Sequence, residues 1–151
     1  MPVRRSTRSS TATRNEAYVD TSALIAFADR SDSHHALFRR LFAEPPVLVT
    51  TALVVAEGHG WFLKRYDTRR GLQFLSMVES MPLQIVPIGP DQQRAATAFI
   101  RKYPDQDLTL TDAVGLHLMA SRRIRICWST DFHLGLTKAP LVIYTLRRRS
   151  H

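Results

Sequence analysis

Cys127 is the only cysteine in the chain. That excludes a disulfide framework, and one thiolate cannot build a thiolate metal centre alone. Apolar runs are equally short: none approaches the roughly 18 residues that a membrane span requires, and no secretory h-region is present. The six histidines include none at zinc spacing from a second ligand. Acids are missing where bases are dense, since residues 1–14 hold Arg4, Arg5, Arg8 and Arg14 and no Asp or Glu. No internal repeat and no linker interrupts residues 17–146. The 151 residues therefore read as one domain, long enough to bury a core. The cell interior, the cytoplasm in particular, is the natural compartment.

The formal charge of +8 is a property of the ends. Residues 1–14 contribute +4 and Arg147, Arg148 and Arg149 another +3, which leaves +1 (8 − 7) for residues 15–146. Basic ends attract RNA or DNA without selecting a sequence; they serve equally well as solubilising segments. Residues 1–16, MPVRRSTRSSTATRNE, are nearly free of aliphatics and should be disordered. Their Arg- and Ser-rich, acid-poor composition matches an organellar transit peptide, but only Val3 and Ala12 offer an apolar helical face, which argues against one. The expected organisation is a basic arm over 1–16, one domain over 17–146 and a basic tail over 147–151.

Within the domain, short apolar runs alternate with helical periodicity. Ala17–Val19, Val47–Val49, Leu83–Ile88, Ile124–Trp128 and Leu141–Tyr144 read as strands. Between them, helices are expected from Thr21 or Ser22, over His34–Ala43, from Thr50 or Thr51, and over Asp67–Ser80, Asp91–Tyr103 and Leu110–Arg122, with Asp105-Gln106-Asp107 as a loop. Such alternation predicts an α/β fold whose mostly parallel sheet of four to five strands is covered on both faces.

Four acids stand where an aliphatic residue is expected: Asp20 in AYVDTSAL, Glu57 in LVVAEGHGW, Asp112 in LTLTDAVGL and Asp131 in ICWSTDFH. Asp20 and Asp131 follow strand-like runs, where ligands of parallel sheets gather; such acids also commonly cap the next helix. Glu57 has Leu53, Val54 and Trp61 at helical spacing, which predicts a position on the apolar face. Asp112 has Leu108 and Leu116 four residues to either side, and lies in a first helical turn, where free N–H groups favour an anion. Salt bridges to nearby arginines would account for Glu57 or Asp112 singly. Four carboxylates converging at one point would repel one another unless a hard cation joined them. Mg²⁺ or Mn²⁺ suits such oxygen ligands, lowers the pKa of a bound water and stabilises an in-line phosphoryl displacement.

With VDTSAL, the acid of AEGHGW, DLTLTDAVGLHLMA and STDFHL in this order, the chain resembles the PIN-domain nucleases, most closely the single-domain VapC-type toxins of prokaryotic toxin–antitoxin pairs. The resemblance covers residues 17–146, and its most specific part is LTLTDA followed by TDxH 19 residues on from Asp112 to Asp131. It implies a three-layer α/β/α sandwich and a Mg²⁺- or Mn²⁺-dependent endoribonuclease whose metal is surrounded by Asp20, Glu57, Asp112 and Asp131. It also implies a metal-activated water that leaves 5′-phosphate and 3′-hydroxyl ends, an RNA substrate, a homodimer and an antitoxin whose segment crosses the active-site groove. Ser22 and Thr130 become hydroxyl neighbours of the site, and His133 a contact to phosphate or substrate. Asp105 and Asp107 are extra acids beside Asp112, as ligands or as solvated loop residues. Trp61 and Trp128 are expected in the core rather than stacked on bases.

Two other readings compete. A haloacid-dehalogenase-type phosphotransfer domain also carries Asp after its first strand, but needs a second Asp where this chain has Ser22. A non-toxin PIN nuclease of RNA processing, or an RNA-binding PIN-like domain without turnover, would keep the fold; the complete acidic quartet argues against loss of turnover.

Overall fold

The computed structural model describes residues 15–130. Over that range the elements alternate as β1 (Glu16–Val19), α1 (Thr21–Ala28), α2 (His35–Leu41), β2 (Val47–Thr51), α3 (Ala52–Arg65), α4 (Thr68–Ser80), β3 (Leu83–Val86), α5 (Pro90–Lys102), α6 (Leu110–Arg122) and β4 (Ile126–Trp128). A short 3-10 turn, Pro104–Gln106, joins α5 to α6. The expected fifth strand at Leu141–Tyr144 lies outside the described residues.

All pairings are parallel, in the order β3-β2-β1-β4. The chain steps outward from β1 to β2 to β3, then returns across β1 to add β4 on its other side. With the right-handed crossovers general to parallel strands, this strand order puts α1–α4 on one face and α5–α6 on the other. The result is the expected three-layer sandwich. β1 is central, so Ala17, Tyr18 and Val19 are all buried, as strands covered on both faces are.

The reversal makes the carboxyl ends of β1 and β4 the topological switch point, the crevice position where parallel sheets bind ligands. Val19 pairs with Trp128, and the Asp20 N–H donates to the Trp128 carbonyl at 3.0 Å. The next residues on the two strands, Asp20 and Ser129, therefore emerge side by side.

Boundaries differ from expectation for local reasons. β1 begins one residue early, at Glu16, because the Val47 N–H reaches back to the Asn15 carbonyl at 3.1 Å. β4 begins at Ile126 rather than Ile124. Arg123 adopts left-handed backbone at φ 55°, so that Ile124 N–H bonds the Met119 carbonyl at 2.9 Å and Arg123 N–H the Ala120 carbonyl at 3.3 Å. This helix stop absorbs Ile124 into the end of α6. β3 is an edge strand with Gln84 and Ile85 exposed. α3 starts at Thr51, whose hydroxyl caps the Val54 N–H at 3.4 Å, while Thr50 turns its hydroxyl to the Val19 carbonyl at 2.7 Å. The core packs Tyr18, Phe38, Phe62 and Phe74 with Leu24, Leu48, Leu116 and Met119. Trp128 is buried edge-on to Phe42 at 5.0 Å, and half-buried Trp61 packs edge-on to Phe62 at 4.9 Å, as expected.

Candidate metal centre at the switch point

Asp20 terminates β1 and stands at the N-cap position of α1, yet its carboxylate makes no side-chain cap. Neither Thr21 nor Ser22 caps the helix from outside, as the sequence suggested; both lie within its first turn. The carboxylate turns toward the crevice instead. Ser22 Oγ and Ser129 Oγ both donate to its Oδ2 at 2.9 Å, and the two hydroxyls lie 3.1 Å apart. Thr130 joins through its backbone N–H, which donates to Ser22 Oγ at 2.9 Å. Thr130 was expected as a neighbour of the site, and what the described residues show of it there is this main-chain contact to Ser22.

Asp20 is only 5% exposed. Burial pushes its pKa up from 3.8 to about 6, against the hydrogen bonds of Ser129, Ser22 and the Thr21 backbone, with the charge of Asp112 adding to the rise. No lysine, arginine or histidine among the described residues forms an ion pair with it. A buried carboxylate held by hydroxyls and within the field of a second acid is a group in want of a cation.

Asp112 supplies the second acid, 9% exposed, from the first turn of α6. Its N–H donates to Thr109 Oγ1 at 3.1 Å, and its Oδ2 accepts the Thr109 N–H at 3.2 Å. This capping box fixes the carboxylate to the start of the helix. Among the described residues no base pairs with Asp112, whose partner is Thr109 at the helix N-terminus.

Glu57 requires a correction. It is exposed, where an apolar face was expected. α3 buries the stripe Val54, Gly58 and Phe62; Glu57 sits one residue, or about 100° of helical rotation, off that stripe. Leu53 and Trp61, which made its surroundings look apolar, are only half-buried. Among the described residues, no three His, Cys, Asp or Glu side chains are grouped to hold a metal. Asp20, Ser22, Ser129 and Thr130 are thus joined directly and Asp112 acts on Asp20 through its charge, while Glu57 takes no part in these hydrogen bonds. Asp131 and His133 lie outside the described residues. Asp105 and Asp107 are exposed loop acids.

Ser129 is a site residue that the sequence did not mark. Its signal is positional: it lies opposite Asp20 only once β1 and β4 are paired in the observed register.

The residues present fit a hard divalent ion. Every donor at the crevice is an oxygen, as Mg²⁺ and Mn²⁺ prefer, and Mg²⁺ is commonly held by only one or two carboxylates together with water and substrate phosphate. A cleft of about 610 Å³ lies at the far end of α1, lined by Asp29, Arg30, Tyr66 and Arg70 among others. Its acid is already satisfied: Asp29 accepts from Ser31 N–H, Ser31 Oγ and Tyr66 Oη at 3.0, 2.7 and 2.9 Å. That cleft is held together rather than waiting for an ion.

Comparison with known proteins agrees with this layout. The PIN domain family profile matches residues 17–136. Curated relatives include the 23S rRNA-specific endonuclease VapC20 of Mycobacterium tuberculosis, in strains CDC 1551 / Oshkosh and H37Rv. Each is 23% identical over 115 residues, covering 76% of this chain and 88% of the relative. Among solved structures, the crystal structure of M. tuberculosis VapC20, a Sarcin-Ricin loop cleaving toxin, superposes with TM-score 0.77 at 21% identity, covering 83% of this chain and 98% of that one. A toxin–antitoxin complex from Klebsiella pneumoniae gives TM-score 0.54 at 22% identity, covering 80% and 90%. VapBC2 from Rickettsia felis, bound to a DNA fragment from its promoter, gives 0.60 at 10% identity, covering 83% and 93%. At these identities the solved structures establish the fold.

Proposed function

Because the chain belongs to the PIN-domain family, we propose that it is a Mg²⁺- or Mn²⁺-dependent endoribonuclease and the toxin of a prokaryotic toxin–antitoxin pair. One observation carries the metal reading: the buried Asp20 carboxylate, raised to about 6 by burial with the charge of Asp112 adding to the rise, has no cationic side chain paired to it among the described residues. The similarity to toxins of VapBC systems supports the biological role.

In this reading Asp20 and Asp112 hold the ion. Glu57 and Asp131 complete the acidic set, on the strength of the AEGHGW and STDFHL resemblance. A bound divalent ion supplies charge neutralisation at the phosphodiester and a water of lowered pKa. The chain's own residues do the rest. Ser22 and Ser129 keep Oδ2 of Asp20 in one orientation, the Thr130 N–H keeps Ser22 in place, and the α6 N-terminus favours negative charge beside Asp112. His133 is assigned to phosphate or substrate contact.

RNA is the proposed substrate class. The name of VapC20 specifies 23S rRNA, which makes a 23S rRNA fragment the first substrate to try. An antitoxin protein and a second copy of the chain are the proposed partners.

The test uses purified full-length protein and labelled RNA. Asp20→Asn and Asp112→Asn each reduce cleavage below detection while the far-ultraviolet circular dichroism spectrum is retained. EDTA stops the wild type, and excess Mn²⁺ or Mg²⁺ restores it. Undiminished cleavage by either variant, or full turnover in chelator, contradicts the assignment. The toxin role is read separately, by growth arrest on expression and relief when the product of a small adjacent upstream gene is co-expressed.

A further inference from the structure

The hydroxyl of Tyr18 has no role in the site as described so far. Tyr18 is 1% exposed in the centre of β1, and its hydroxyl lacks a hydrogen-bond partner among the described residues. The Thr51 side chain is close enough to interact but completes no bond of ordinary geometry; its own oxygen serves the α3 cap. A stranded buried hydroxyl typically costs about 1–3 kcal/mol, and phenylalanine would fill the same space without it. Such a group calls for an explanation.

What the phenol touches supplies one. It meets α6 at Gly115: a Cβ built there would lie 2.6 Å from the Tyr18 hydroxyl oxygen, 2.8 Å from Cζ and 2.9 Å from Cε1. The helix rests its bare backbone on the tip of the ring. Tyr18 is two residues before Asp20 on one rigid strand, and Gly115 is three residues, nearly one helical turn, after Asp112. Asp20 cannot drift from β1, because Ser22 and Ser129 hold it. Asp112 cannot drift from α6, because its capping box ties it to Thr109. The gap between the carboxylates is therefore the gap between strand and helix. At this level the strand and helix meet through the phenol and the glycine.

We propose that Tyr18 and Gly115 are positioning residues whose contact sets the separation of Asp20 and Asp112, and thereby the affinity of the site for a divalent cation. This inference rests on the metal reading of the proposed function. Neither residue touches the ion or the RNA. They act through the two carboxylates, as supporting groups in metal sites do.

Mn²⁺ titration of the full-length protein by calorimetry tests it, with thermal unfolding measured beside it on metal-free samples. Gly115→Ala pushes α6 off the ring and weakens Mn²⁺ binding about tenfold, and Tyr18→Leu in the Gly115→Ala background, which shortens the spacer, recovers most of the loss. Tyr18→Phe is the milder variant and carries the test should Gly115→Ala not fold. It removes the contacting oxygen, so Mn²⁺ affinity changes while the metal-free Tm is unchanged or raised. Wild-type Mn²⁺ affinity in a folded Gly115→Ala protein, or in Tyr18→Phe, overturns the inference and leaves the metal site standing. Wild-type protein that takes up no Mn²⁺ removes the metal site itself, and this inference with it.

Discussion

Asp20 is costly to the metal-free fold, and the cost has a definite pH dependence. Its folded pKa of about 6 exceeds the ordinary 3.8, so between those values the folded chain holds a proton that the unfolded chain has lost. Stability from this group is full below about pH 4, falls as pH rises toward 6, and stays at its low value above. A rise of that size is equivalent to about 3 kcal/mol. Asp20→Asn removes the penalty. Metal-free Asp20→Asn should therefore melt higher than wild type at pH 8, by up to about 3 kcal/mol, with the difference closing toward pH 4. Denaturant melts in EDTA across that range check it, and a variant less stable than wild type at pH 8 contradicts it. Mn²⁺ should stabilise the wild type and leave the variant unmoved. A variant that is more stable yet inactive separates chemistry from folding.

Residue-level inference from sequence succeeded where the signal was local. Asp20 after a strand and Asp112 in a helical first turn are both statements about a few neighbouring residues, and both acids are buried as expected. Glu57 misled because only one of the neighbours at i−4, i−3 and i+4, Val54, is buried, while Leu53 and Trp61 flank the stripe half-buried. Ser129 and Tyr18 were silent because their meaning depends on residues more than ninety positions away, Asp20 for one and Gly115 for the other.

Among elements, α3 packs closely on α4. A Cβ on Gly58 would stand 2.3 Å from Phe74 Cζ, and Phe74 in turn stacks on Phe62 with centroids 5.2 Å apart. Gly58→Ala must separate the helices or displace that ring stack, so a destabilisation of about 1–3 kcal/mol is expected. Phe74→Leu in the same background should relieve part of it. Urea unfolding of the single and double variants measures both, and an unaffected Gly58→Ala midpoint would show that the helices have slack. Element order was readable in full over the described residues because apolar runs and helical periods alternate cleanly. Element ends were less so. Arg123 closes α6 in left-handed backbone, a position where glycine is the usual marker, and nothing in the run SRRIRIC announces it.

At the scale of the molecule, function follows from topology and charge together. The sheet's reversal at β1 sets the switch point, where the buried Asp20 lies, while the chain's surplus arginines lie at its ends. Seven of those arginines lie in residues 1–14 and 147–149. Removing 1–14 and 147–151 should weaken RNA binding and flatten its dependence on salt while leaving the cleavage step intact. Binding isotherms at several salt concentrations decide it, and an unchanged slope would mean that the ends do not meet RNA. The parallel sheet and its two helical layers were legible from patterning; strand order was not, because hydrophobic runs do not say which neighbour they choose.

The central claim is that Asp20 and Asp112 share one divalent ion. A crystal soaked in Mn²⁺ and measured for anomalous scattering tests it most directly. The account predicts a manganese peak between the two carboxylates, about 2.1 Å from an oxygen of each, that vanishes in Asp20→Asn. An active enzyme whose manganese sits elsewhere, or whose Asp20 remains bound only to Ser22 and Ser129 in saturating Mn²⁺, would contradict it.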